Sequence, residues 1–204
     1  DGIMFEGIAM PPDLGPMAMP FSGKRLAHIV KNYRHLSSLG FMITDTAEGR
    51  LRWRPVIGPV YTYSLSRADV ERIRRAIVFL SGLYLEGGAR TVYVMASIPN
   101  NILRTVEDLA RFEKTPLRAD DLEVMAFHPL GTARMAVSAA QGVCDPWHQV
   151  FGTPGLYLCD GSVVPTPLGV NPQETIMALA TRLAGHLLGG PLRSSGAETA
   201  AVNH

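Results

Sequence analysis

Fifteen prolines and twenty glycines are scattered along the 204 residues. Proline fixes φ and removes a backbone donor, and glycine makes tight turns inexpensive, so this punctuation restricts long helices and central strands to a few windows. Pro11, Pro12, Pro16 and Pro20 fall within residues 1–22, among Met4, Met10, Met17 and Met19. That segment can form neither one long helix nor a central strand. It reads as an edge strand and loop packed on a core. A second reading is the wall of an apolar substrate pocket, because methionine adapts to irregular shapes.

The windows free of proline carry the regular elements. Residues 24–36 have a helical pattern. Short strands are expected at 40–44, 51–53 and 60–63, with turns at Glu48-Gly49 and Gly58-Pro59. Ser66 stands three positions before Asp69, a capping-box start. Val70, Ile73, Ile77, Leu80 and Tyr84 then recur at helical spacing until Gly87-Gly88. A strand is expected at 91–96 and a helix at 103–112. Residues 126–175 are rich in loops, with one strand at 156–159. The last helix reads as N-capped by Asn171, with Pro172 at the first helical position and Glu174 at the third. Its apolar face is Ile176, Leu179, Ala180, Leu183 and Leu187.

Composition removes several classes of function. Hydrophobic residues are 47% and charged residues 18% of the chain, a globular balance. Nineteen Lys and Arg face eighteen Asp and Glu, so the broad basic footprint of nucleic-acid binding is missing. No apolar run approaches the roughly 20 residues needed to span a bilayer. Residues 1–20 show no signal-peptide pattern, which sets a cytoplasmic expectation. Cys144 and Cys159 read as free, buried thiols. Cys144 and His148 lack a second pair at zinc-type spacing. No two glycines stand at G-x-G spacing, so the chain carries no Gly-rich pyrophosphate loop.

Chemistry-bearing residues concentrate in two segments. One is Phe127-His128-Pro129-Leu130-Gly131-Thr132. The other runs from Cys159-Asp160-Gly161-Ser162-Val163-Val164-Pro165 through Gly169-Val170-Asn171-Pro172-Gln173 to Thr175-Ile176-Met177-Ala178-Leu179-Ala180. Together, in this order, they resemble the C-terminal signature of the glucose–methanol–choline (GMC) oxidoreductases. The match is strong over 126–188 and diffuse over 1–125. The opening Phe5-Glu6-Gly7-Ile8-Ala9-Met10-Pro11-Pro12 resembles the branch that acts on long-chain or other lipophilic alcohols.

The resemblance implies an α/β (mixed α+β) fold. Residues 1–125 would be a substrate-binding portion with an antiparallel sheet and helices. Residues 126–190 would supply active-site loops plus the returning strand and helix of an FAD-binding Rossmann-like domain. Residues 191–204 are expected to be a disordered tail. The implied cofactor is FAD, which accepts a hydride from an alcohol carbon at N5. His128 would take the hydroxyl proton, a task suited to neutral imidazole. Asn171 matches the position that holds the substrate oxygen. Asp160, Gly161, Asn171, Pro172 and Gln173 would contact the flavin, with the helix start favouring negative charge there. A small, possibly lipophilic alcohol would be the substrate.

The family's N-terminal FAD-binding unit carries the Gly-rich loop that this chain lacks. A chain opening on Asp1 without that loop reads as the C-terminal part of a longer flavoenzyme. Its partner would be the N-terminal FAD-binding portion, in the same or another chain, and alone it would bind FAD weakly or not at all. The alternative is a truncated, non-catalytic GMC-like binding or assembly module without its own FAD site. A hydrolase using Ser162 is a minor reading, since the G-x-S-x-G elbow is absent.

Overall fold

The computed structural model describes residues 2–189. The expected tail at 191–204 lies outside them. The chain divides between Ala126 and Phe127 into two compact units.

The first unit contains six strands and three helices: β1 (Ile3–Gly7), α1 (Gly23–Lys31), β2 (Leu39–Ile43), β3 (Arg50–Arg54), β4 (Gly58–Thr62), α2 (Arg67–Glu86), β5 (Val92–Tyr93), β6 (Ile102–Leu103) and α3 (Val106–Lys114). The antiparallel sheet is realised as three two-stranded pieces, β1–β2, β3–β4 and β5–β6. Phe5 faces Phe41 across the first pair, and Trp53 faces Pro59 across the second.

Helix α2 organises the core. Its capping box forms as expected: Asp69 N–H donates to Ser66 Oγ, and the Asp69 carboxylate accepts from the Ser66 backbone. Val70, Ile73, Ile77 and Leu80 are buried, as the helical spacing requires, while Tyr84 is half-buried with its hydroxyl on Ser37 O at 3.0 Å. The stripe packs on Val94, Ala96, Leu103, Phe112 and Leu122. Each large apolar side chain so buried contributes roughly 1.5–3 kcal/mol.

Several boundaries differ from the sequence expectation, each for a local reason. The turn expected at Gly58-Pro59 lies at residues 55–57, with Val56 at φ 72°, because Pro59 is accommodated inside a strand that has only one partner. The expected helix over 103–112 starts at Val106 because Thr105 caps it, accepting from Asp108 N–H, while Leu103 goes to β6. The expected strand over 91–96 is reduced to Val92–Tyr93 plus a bridge between Ala96 and Leu122.

Among the described residues, the second unit has one α-helix, α4 (Gln173–Leu187), and a long stretch of loops. The strand expected at 156–159 is a single bridge, Tyr157 to Gln149. Two bonds, Val150 N–H to Leu156 O at 2.9 Å and Leu158 N–H to His148 O at 3.0 Å, flank it. The pairing stops there because the chain turns at once into the Asp160 cap. Cys144 is buried as expected, whereas Cys159 is exposed, since it leaves the ladder at this turn. Along α4, Leu183 is buried, but Leu187, expected on the apolar face, is 54% exposed.

Candidate active site

His128, Asp160, Gly161, Asn171, Pro172 and Gln173 all fall in the second unit. His128 sits in an exposed bend followed by Pro129. Gly131, at φ 77°, turns the chain into a short pairing with the other signature segment. Ala133 N–H donates to Ser162 O at 3.0 Å and Met135 N–H to Val163 O at 2.9 Å. The segment beyond is braced from behind. Arg134 Nε donates to Gln141 O at 2.9 Å, and the buried Cys144 thiol points at Ala133 O. Burial, with Asp145 adding repulsion, pushes that thiol's pKa up, so it is a packing group and not a nucleophile.

Asp160 caps the 3-10 turn Gly161–Val163 by accepting from Ser162 N–H at 2.7 Å. Hydrogen bonds from the Ser162 side chain and backbone hold its carboxyl below the usual range. The ionised Asp160 is thus stabilised by its own turn. Gly161 is the point where the segments meet. A Cβ placed there would stand 3.2 Å from Leu130 Cδ2, 3.3 Å from Ile176 Cδ1 and 3.4 Å from Pro129 O. The bend after His128 and helix α4 therefore both close on Gly161, which has no side chain to obstruct them.

Helix α4 begins one residue later than expected. Pro172 is buried at the cap position, and the first intrahelical bond is Ile176 N–H to Pro172 O at 2.9 Å. Asn171 therefore precedes the cap, and Gln173, not Pro172, is the first helical residue. The shift arises because Pro172 adopts φ −85° and ψ 3°, near-helical but not yet in the ladder. The cap side chain bonds none of the amides of the first turn. Asn171 and Gln173 are exposed, and Gln173 Nε2 lies 4.0 Å from Met177 Sδ, along the helix.

Trp147, His148 and His186 gather around Arg182, which the sequence did not single out. Arg182 Nη2 donates to Pro146 O at 2.5 Å and lies 3.2 Å from His148 Nε2. His148 is fully buried at φ 72°, with Nδ1 2.8 Å from Leu158 O. Trp147 stacks on His186 with centroids 4.8 Å apart, and the Arg182 guanidinium lies over the same indole. The available signal was the i, i+4 spacing of Arg182 and His186.

The start of α4 offers backbone amides that could hold an anionic group, with Glu174 the acidic residue of that first turn. The amides at the start of α4 point out of an exposed helix end, where the dipole favours negative charge. Glycine at 161 keeps the neighbouring backbone close and unobstructed.

The chain is of mixed helix and strand, and its two signature segments meet at Gly161. The GMC oxidoreductase C-terminal family model matches residues 46–180, and the chain belongs to that family. An uncharacterized GMC-type oxidoreductase of Mycobacterium tuberculosis is 30% identical over 189 residues, covering 90% of this chain and 29% of that protein. A long-chain-alcohol oxidase of Arabidopsis thaliana is 42% identical over 53 residues, which is 26% of this chain and 7% of that protein. Among solved structures, pyridoxine 4-oxidase from Mesorbium loti superposes with a TM-score of 0.51 at 22% identity, covering 75% of this chain and 30% of that one. The last likeness concerns the fold alone. The chain thus spans under a third of the length of these relatives. Among the described residues, no helix is long and apolar enough to cross a membrane.

Proposed function

We propose that this chain is the C-terminal part of an FAD-dependent oxidoreductase acting on CH–OH donors, with His128 as the base. Bound FAD would supply the hydride acceptor. His128 takes the hydroxyl proton through its imidazole as the carbon loses hydride. Asn171 holds the same oxygen through its side-chain amide. Asp160, Gly161, Pro172 and Gln173 hold the flavin, chiefly through backbone and through the first amides of α4. An N-terminal nucleotide-binding portion, in the same or another chain, completes the cofactor site. The first unit serves substrate binding, and the second carries the signature loops.

The observation that carries this reading is the convergence at Gly161, where the His128 bend and α4 pack within 3.4 Å of the absent Cβ. A lipophilic alcohol is the favoured substrate class, supported by the identity with the long-chain-alcohol oxidase. The test is anaerobic mixing of the FAD-loaded complete enzyme, with its nucleotide-binding portion present, with a long-chain primary alcohol, following the loss of visible flavin absorbance. His128→Ala is expected to slow that loss by about a hundredfold or more. An unchanged rate refutes the assignment of the base.

A further inference from the structure

We infer that the first unit carries a binding site for a phosphate-type oxyanion, built between α1 and the β5–β6 hairpin. A concavity of about 490 Å³ opens there. Lys24, Arg25 and His28 of α1 line it, together with Tyr93, Asn100 and Arg104, and no acidic residue does. The inference is independent of the flavin chemistry.

Three features distinguish this cluster from an ordinary solvated face. First, among the described residues no side-chain ion pair engages its cations: the pairs engage Arg72, Arg74 and Arg111, and none reaches Lys24, Arg25 or Arg104. Asp108, the carboxylate bonded to the Arg104 backbone, is already committed to the Arg104 and Thr105 N–H groups and to the Arg111 guanidinium. In a chain with nineteen basic and eighteen acidic residues, a concavity lined by one sign alone is a local concentration of potential.

Second, the wall is fixed in advance. Val94 N–H donates to Asn101 O at 2.9 Å, and the buried Asn101 side chain donates to Ala96 O at 2.8 Å. Asn100 is held at φ 65°, a left-handed conformation that this pinned loop imposes. Phe21 packs edge-on against the Tyr93 ring at 5.6 Å. Third, α1 has no acidic residue in its first turn and no side-chain cap bond from Ser22, so its positive end adds to the field.

The ligand class follows from the donors. Two guanidinium forks suit the tetrahedral, multiply charged oxygens of a phosphate better than a single carboxylate. Two sources share that chemistry: a soluble phosphate-bearing metabolite and a phospholipid headgroup.

The test uses the protein expressed from its native gene, at constant ionic strength. One arm titrates inorganic phosphate, read by phosphorus NMR line broadening. The other measures co-sedimentation with phosphatidylcholine vesicles, with and without phosphatidic acid. Saturable phosphate binding alone identifies a soluble ligand; retention that requires phosphatidic acid identifies the headgroup. In either case, Arg25→Gln with Arg104→Gln is expected to weaken binding by at least about tenfold. Arg67→Gln, which removes one exposed charge outside the concavity, is expected to leave it unchanged. If the double variant loses its fold, Lys24→Gln alone carries the same expectation of weaker binding. The inference is overturned if neither arm shows saturable binding. It is equally overturned if a folded site variant binds like the parent, or if Arg67→Gln weakens binding as much.

Discussion

Gly142 and Gly161 both exclude a side chain, with unequal consequences. A Cβ at Gly142 would lie 2.5 Å from Arg134 O and 2.7 Å from the Ala136 Cβ, so backbone would have to move. At Gly161 the nearest neighbours are the mobile ends of Leu130 and Ile176 at 3.2 and 3.3 Å, which can yield by a few tenths of an ångström. Gly161→Ala is therefore expected to cost about 1–2 kcal/mol in denaturant unfolding and Gly142→Ala more than about 3 kcal/mol. A reversed order would contradict the packing described. Asp69 is the other decisive residue. Burial raises its pKa, but hydrogen bonds from Ser66 and Thr46 outweigh that and hold it below the carboxylate range. Arg72 pairs with it at 2.8 Å. A depressed folded pKa gives stability that is complete above the unfolded value near 3.9 and lost as pH falls through the folded one. Asp69→Asn is expected to flatten that acid limb in urea unfolding measured across pH, and Asp69→Ala to cost about 3 kcal/mol at neutral pH. The Ser66–Asp69 spacing was visible in the sequence. Thr46 was not, because it reaches Asp69 across 23 positions, whereas the i, i+3 spacing of Arg72 was a signal the sequence did offer.

Among the elements, α2 was the most legible and the 156–159 segment the least. The α2 pattern is local: a capping box, a periodic stripe and a glycine stop need only neighbours in sequence. A strand exists only with a partner, and here the partner at 148–150 supplies two bonds before the chain turns away. The boundaries of α4 show the same limit, since the start at Gln173 depends on which carbonyl Ile176 finds. The loop preceding Asp160 is anchored to α4 by Arg182, which bonds Pro146 O, approaches His148 and lies over Trp147. Arg182→Ala is expected to destabilise the second unit by about 1–2 kcal/mol and to shift Trp147 fluorescence toward that of solvated indole. Unchanged emission and stability would show that the anchor contributes nothing.

For the molecule as a whole, family membership was readable because the signatures are contiguous and loop-borne. The order of His128, Asp160-Gly161 and Asn171-Pro172-Gln173 survives in one dimension. The absence of G-x-G spacing in these 204 residues was equally readable, and it leads to a prediction about FAD. The 204-residue chain alone is expected to retain little flavin after gel filtration from excess FAD, since it has no Gly-rich loop to cradle a pyrophosphate. Stoichiometric retained flavin would overturn this. By itself the sequence determined the helix windows, the capping box, the family resemblance and the residues to watch, all of which rest on local spacing. Only the tertiary structure decided that Gly161 joins the His128 bend to α4, that Asp160 spends its charge on its own turn, and that Lys24, Arg25 and Arg104 share one concavity. The first and last depend on distances between residues far apart in the chain, which packing fixes and spacing cannot; the Asp160 bond spans only two positions, but it forms only once the backbone turns at Gly161.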